Sequence, residues 1–232
     1  MQIQRLTIPS HDAKIPAVLI SAAESVGAVV LVHGIGGCKE ELLGLAWRLA
    51  EMGCASLVID LRGHGENTLP LDFDVVSDVN AAIALAARFG PVAAVGHSMG
   101  GRLALLSSAD YVFAISPALE QVYGEKTYHS VRSKRNHRVR ESMPDAGFKL
   151  MRHLPHWGRA KNKEAAFVFG TRDIPEIADA CRRLKEGGES VLEIPGALHG
   201  DIFLMETTIQ ILLAQLKGWF SQAAAGRAVE TV

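Results

Sequence analysis

Two short apolar stretches, at residues 2–8 and 14–20, are separated by Pro9, Ser10 and Asp12 and predict a strand, a turn and a second strand, paired as an antiparallel hairpin. From Gly27 the pattern changes to fully apolar runs that alternate with helical stretches: Ala28 to Val32, Ser56 to Ile59, Val92 to Val95, Val112 to Ile115, Ala166 to Phe169 and Val191 to Ile194. Continuous runs with β-branched residues fit strands covered on both faces, as in a parallel sheet. Between them Leu42, Leu45, Ala46 and Leu49 recur at helical spacing, and Val75, Val79, Ile83 and Ala86 do nearly the same, so each set predicts an amphipathic crossover helix. Ile202, Met205, Ile209, Leu212, Leu213 and Leu216 carry that period toward an Ala-rich tail, residues 222–232, expected to fray. The alternation predicts an α/β fold with a mostly parallel, doubly wound sheet.

One stretch breaks the alternation. Residues 118–164 lie between two predicted core strands, show little periodicity and hold eleven Lys and Arg against five Asp and Glu, although the whole chain carries a net charge of only −1. An insertion is expected there, a cap over the sheet edge where strand C-termini open and ligands bind in such folds. With 232 residues, 48% of them hydrophobic, the chain is expected to form a single domain over 1–232. A chain of this size buries roughly 70% of its unfolded surface and needs neither disulfide nor metal for stability. Cys38, Cys54 and Cys181 form no C-x-x-C pair and read as reduced, buried thiols. The N-terminus has no basic segment followed by an apolar run, and no stretch is long and apolar enough to span a bilayer, so a cytoplasmic protein is expected. The near-neutral charge and the few aromatics of the basic stretch, Tyr123, Tyr128, Phe148 and Trp157, argue against nucleic acid as a partner.

The strongest chemical signal is Gly96-His97-Ser98-Met99-Gly100, which follows an apolar run and precedes the helix-forming Arg102-Leu-Ala-Leu-Leu. A G-x-S-x-G between strand and helix reads as a nucleophile elbow: the sharp turn strains the serine, crowds the positions two before and two after it, and projects the hydroxyl free of the sheet. The same turn sets the Met99 N–H at a helix start, where it can bind a developing oxyanion. After the strand ending near Val32 comes His33-Gly34-Ile35-Gly36-Gly37, and after Ile59 comes Asp60-Leu61-Arg62-Gly63-His64-Gly65. Asp60 and His64 lack further ligands at metal spacing and read as loop-holding residues, so no metal or cofactor is expected.

On these ordered motifs the chain from residue 14 to about 220 resembles the α/β-hydrolase superfamily. The resemblance implies that the Ile35 N–H completes the oxyanion hole and that His33 is structural. It implies a base in the loop Gly196-Ala-Leu-His-Gly200, hence His199, and an acid between serine and histidine in chain order. Asp173, just beyond the strand Ala166 to Phe169 and before Pro175, fits the acid, with a helix N-cap as its competing role and Glu120 and Asp179 as alternatives.

A serine hydrolase follows as the expectation, cleaving a small-molecule ester or thioester through an acyl-enzyme on Ser98. A serine at this position argues against the aspartate-dependent dehalogenases and epoxide hydrolases of the fold. Peptidase, C–C hydrolase, acyltransferase and non-catalytic receptor stay open, because they differ in the pocket rather than in the triad. Arg132, Lys134, Arg135, Arg138 and Arg140, with His129, His137, His153 and His156 nearby, read either as a solvated face or as a collar that steers an anionic substrate such as a carboxylated ester or a coenzyme A thioester.

Overall fold

The computed structural model describes residues 1–158 and 163–230. The hairpin is present as β1 (Gln2–Ser10) and β2 (Ala13–Ser21), paired antiparallel. The apolar runs become β3 (Gly27–Val32), β4 (Cys54–Ile59), β5 (Val92–His97), β6 (Tyr111–Ile115), β7 (Glu164–Arg172) and β8 (Ser190–Leu198). They join in one eight-stranded sheet of order β1-β2-β4-β3-β5-β6-β7-β8, antiparallel up to β4 and parallel beyond it.

Among the described residues there are seven α-helices, six between strands and one after the last: α1 (Leu43–Glu51), α2 (Val75–Ala86), α3 (Met99–Leu106), α4 (Glu125–Lys134), α5 (Ala146–His153), α6 (Pro175–Glu186) and α7 (Glu206–Glu230). Side-chain alternation along the central strands divides the core in two. Ala28, Val30 and Val32 of β3 pack with α2, α3 and α6, whereas Val29 and Leu31 pack with α1 and α7. Both faces are thus covered, which is why these strands read as unbroken apolar runs.

The stretch that breaks the alternation carries α4 and α5 between β6 and β7, and residues 159–162 lie outside the described residues. The period was hidden because α4 buries only Thr127, so it has no apolar stripe to show. The tail expected to fray is helical as far as Glu230, and residues 231 and 232 lie outside the described residues. Of the three cysteines, all free, Cys54 and Cys181 are buried, which pushes both thiols up to about 12, while Cys38 is only half-buried.

Register carries the functional consequence. Val32 stands opposite Gly96, His97 opposite Ile115, Ile115 opposite Val168 and Gly170 opposite Ile194, so the loops that follow β3, β5, β6, β7 and β8 leave the same edge of the sheet. A switch in strand order, where the chain crosses from one side of β3 to the other, places the loops after β3 and β5 side by side.

Buried ions fasten these loops. Arg62, after β4, is fully buried and grips Asp78 of α2 through two bonds, Nε to Oδ2 at 2.8 Å and Nη2 to Oδ1 at 2.9 Å. It also donates to Asp72 at 2.7 Å and to Asp12 of the β1–β2 turn at 3.0 Å. Removing one partner of such a pair strands the other charge in the core. Arg62→Met is therefore expected to lower unfolding free energy by about 3–5 kcal/mol in urea titration. Arg48→Met, which breaks an exposed pair with Glu206, is expected to leave the midpoint near that of the wild type.

Candidate active site

Ser98 sits between β5 and α3 with φ 56° and ψ −118°, a backbone region that L residues rarely occupy. The turn is this tight because small residues flank it. A Cβ on Gly96 would stand 2.1 Å from the Gly100 carbonyl oxygen, and one on Gly100 would stand 2.3 Å from that of Val32. The serine is clamped by Ser98 N–H to Ile115 O at 2.9 Å and Ala118 N–H to Ser98 O at 3.0 Å.

Ser98, His199 and Asp173 form one hydrogen-bonded chain. The Ser98 hydroxyl lies 3.0 Å from His199 Nε2, and His199 Nδ1 lies 2.8 Å from Asp173 Oδ1. Since the carboxylate accepts, Nδ1 carries the proton and Nε2 is left free to accept from the serine. The Asp173 side chain is fully buried, and burial alone would raise its pKa. Hydrogen bonds from His199, from the Ser116 hydroxyl and from the Ile174 N–H outweigh that effect and hold the carboxyl below its ordinary value. Glu120 pairs with Arg183 and Asp179 with Arg182, so neither alternative acid is bonded to His199. The N-cap of α6 is Ile174 and no side chain caps the helix, so Asp173 does not serve as the cap; its Oδ1 accepts from the Ile174 N–H at 2.7 Å as well as from His199.

Two backbone donors belong to residues of the same cavity. Among the described residues, neither the Ile35 N–H nor the Met99 N–H has a protein acceptor, and both residues line the cavity that contains Ser98 and His199. Met99 opens α3, whose N-terminal partial charge adds to its N–H. Ile35 packs against α5: a Cβ on Gly147 would stand 2.1 Å from Ile35 Cδ1, so the end of that side chain would have to turn aside.

The histidine-rich surroundings are structural. His33 Nδ1–H donates to Gly34 O at 2.8 Å and its Nε2 accepts from the Leu61 N–H at 3.2 Å, a neutral tautomer that ties the loop after β3 to the loop after β4. Lys39, 1% exposed, adds a second tie through Asp60, Nζ to Oδ2 at 2.6 Å. His97 Nε2–H donates to the His199 backbone carbonyl at 2.7 Å and its ring packs on Phe203, which fixes the loop bearing the second histidine. Arg102 of α3, fully buried and held below its ordinary pKa by that burial, donates to the carbonyls of Ala118 (3.3 Å), Leu119, Leu154 (2.8 Å) and Pro155 (2.8 Å), so both ends of the β6–β7 segment hang on the helix that follows Ser98.

The cavity holds about 450 Å³ and is lined largely by apolar side chains, among them Ile35, Tyr123, Phe148, Met151, Ile177 and Phe203. The basic cluster splits in two around it. Arg132 is tied to Tyr128 (2.7 Å) and Asp145 (3.3 Å), Arg138 to Glu41 (3.3 Å) and Arg140 to the Gly65 carbonyl (2.7 Å), whereas Lys134 and Arg135 line the cavity. Among the described residues no group of three or more His, Cys, Asp and Glu could hold a metal ion, and no helix is long and apolar enough to cross a membrane.

An eight-stranded, mostly parallel sheet with a serine–histidine–aspartate chain at one edge defines the α/β-hydrolase fold. The sequence model of the Alpha/beta hydrolase family matches residues 29–220, and the chain belongs to that family. Solved structures agree on the fold: an esterase from Pyrobaculum calidifontis (20% identity, 96% of this chain and 86% of that one, TM-score 0.71) and a carboxylesterase structure from the thaumarchaeon Nitrososphaera gargenis (16% identity, 94% and 99%, TM-score 0.74). An esterase from Pyrococcus furiosus has the same fold (16% identity, 94% and 91%, TM-score 0.72).

Of the residues singled out in the sequence, Ser98, His199, Asp173, Ile35 and Met99 come together at one cavity. Ser116, the second side chain on Asp173, was missed: it stands at φ 46°, and a lone Ser before Pro117 carries no motif. Burial pushes His33 to about 4 and His64 and His97 to about 3. Each stays neutral in the fold while it charges in the unfolded chain below about pH 6.5, so stability present above that pH is lost as pH falls toward 4. Each such histidine adds about 1.4 kcal/mol per pH unit to the slope. Urea unfolding between pH 6 and 4 is expected to show this acid loss, and His64→Asn to flatten the slope by about one histidine's share.

Proposed function

We propose that this α/β hydrolase cleaves a carboxylic ester or thioester through an acyl-enzyme on Ser98. The observation that carries the reading is the chain of contacts from Ser98 Oγ to His199 Nε2 (3.0 Å) and from His199 Nδ1 to Asp173 (2.8 Å). In the first step Oγ attacks the carbonyl carbon while its proton passes to Nε2, and the imidazolium so formed is stabilised by the ionised Asp173. The carbonyl oxygen, now negative, takes the free N–H groups of Ile35 and Met99, which are already oriented and need no reorganisation. His199 then gives its proton to the leaving alcohol or thiol. Water attacks the acyl-enzyme with His199 as base and releases the acid, restoring Ser98.

No cofactor enters these steps. The segment 118–164 acts as a cap on the domain: its α4 and α5 supply one wall of the cavity and Gly147 seats Ile35. A mostly apolar cavity of about 450 Å³ suits a small-molecule substrate. Esterases and carboxylesterases among the similar folds are consistent with that substrate class.

A fluorophosphonate probe is expected to label the folded wild type within minutes and Ser98→Ala not at all, and the variant is expected to lose about 10,000-fold or more in kcat toward p-nitrophenyl esters. Equal turnover by the folded variant contradicts the reading.

A further inference from the structure

Three cationic residues line the cavity, Lys134 and Arg135 at the end of α4 and Arg172 beside Asp173, and the carboxylates among its lining are Glu41 and Asp173. Asp173 is committed to His199. Glu41 is already taken: its Oε1 accepts from Arg138 Nη1 at 3.3 Å. Arg135 Nη1 stands 3.9 Å from that same oxygen, too far for a hydrogen bond. Among the described residues Arg135 donates no side-chain hydrogen bond, and Lys134 and Arg172 have no ion pair.

Arg135 is also held in place. Its backbone packs on Gly36 of the loop that carries Ile35, where a Cβ would meet the Arg135 carbonyl oxygen at 2.7 Å. The other end of its side chain reaches the histidine loop, with Nη2 3.8 Å from where a Cβ on Gly200 would stand. A half-buried guanidinium therefore spans the mouth from Glu41 to Gly200 with its planar set of donors unused, the arrangement that binds a carboxylate or phosphate through two parallel hydrogen bonds.

We propose that Arg135, supported by Lys134 and Arg172, forms an anion-binding subsite, so that the ester or thioester cleaved at Ser98 carries a carboxylate or phosphate away from the scissile carbonyl. This rests on the hydrolase reading of the same site. An apolar pocket with one cationic collar discriminates because a neutral analogue leaves the guanidinium's hydrogen-bond donors unused, with only the long 3.9 Å ion pair to Glu41, while an anionic one fills them.

Two substrate pairs test the proposal and separate the sources of the anion. The mono-4-nitrophenyl ester of glutaric acid against 4-nitrophenyl valerate probes a carboxylate on the acyl side; butyryl-coenzyme A against butyryl-N-acetylcysteamine probes phosphates on the leaving group. In at least one pair the wild type is expected to favour the anionic member about tenfold or more in kcat/KM. Arg135→Gln and Arg172→Gln are each expected to lower kcat/KM for that member several-fold more than for its neutral partner, and about 0.5 M NaCl to raise KM for the anionic member alone. No preference in either pair, or equal losses on both members in both variants, overturns the subsite. If none of the four compounds is cleaved and the fluorophosphonate fails, the hydrolase reading falls. Calorimetric titration of wild type and Arg135→Gln with glutarate and with coenzyme A then decides the subsite by itself: binding weakened by the substitution upholds it, and no binding refutes it.

Discussion

The backbone of Ser98, held at a positive φ of 56° between a strand and a helix, is the constraint on which the rest of the molecule depends. An L residue leaves that conformation unless its surroundings fix it. Here the surroundings are the sheet itself: β6 accepts the Ser98 N–H, the Ser98 carbonyl holds Ala118, and the glycines at 96 and 100 allow α3 to start against β3 and β5. The same turn that strains the chain exposes the hydroxyl at the rim and leaves the first N–H groups of α3 unpaired. Strand burial, local strain and a reactive serine are thus consequences of one geometry.

Bringing histidine and aspartate to that serine requires loops from distant parts of the chain to be rigid, and buried ions and neutral histidines supply that rigidity. Lys39 with Asp60 joins the segments after β3 and β4, Arg62 with Asp78 ties the loop after β4 to α2, and Arg102 of α3 holds carbonyls at 118–119 and 154–155 together. Such groups are costly to bury and contribute mainly by fixing one arrangement, since a mispaired charge is worse than none. His97 does the same without charge, donating to the backbone of the residue whose side chain faces Ser98.

Much of this was legible in the sequence, for identifiable reasons. The central strands announced themselves because both faces are covered, and the elbow because its glycines are sterically forced. His199 and Asp173 were reached through the family resemblance, whose chain order pointed to the loops after two of the apolar runs. What was not legible depends on the tertiary surroundings. The helix α4 faces the cavity and solvent, so it presents no apolar stripe. Lys39 and Arg102 are residue types that ordinarily stay exposed, and nothing local marks them as buried. Ser116 matters through the hydroxyl hydrogen it donates to Asp173, a contact across 57 positions of chain. The basic cluster looked uniform in sequence and is divided by position in the fold, with Arg132, Arg138 and Arg140 tied to protein partners and Arg135 turned to the cavity.

The most direct measurement of the central claim is peptide mass spectrometry of the enzyme quenched in acid during turnover of a slowly deacylated p-nitrophenyl ester. On the acyl-enzyme reading, the mass of the acyl group appears on the peptide containing Ser98 and disappears once substrate is exhausted. Steady hydrolysis with an acyl group on another residue contradicts it.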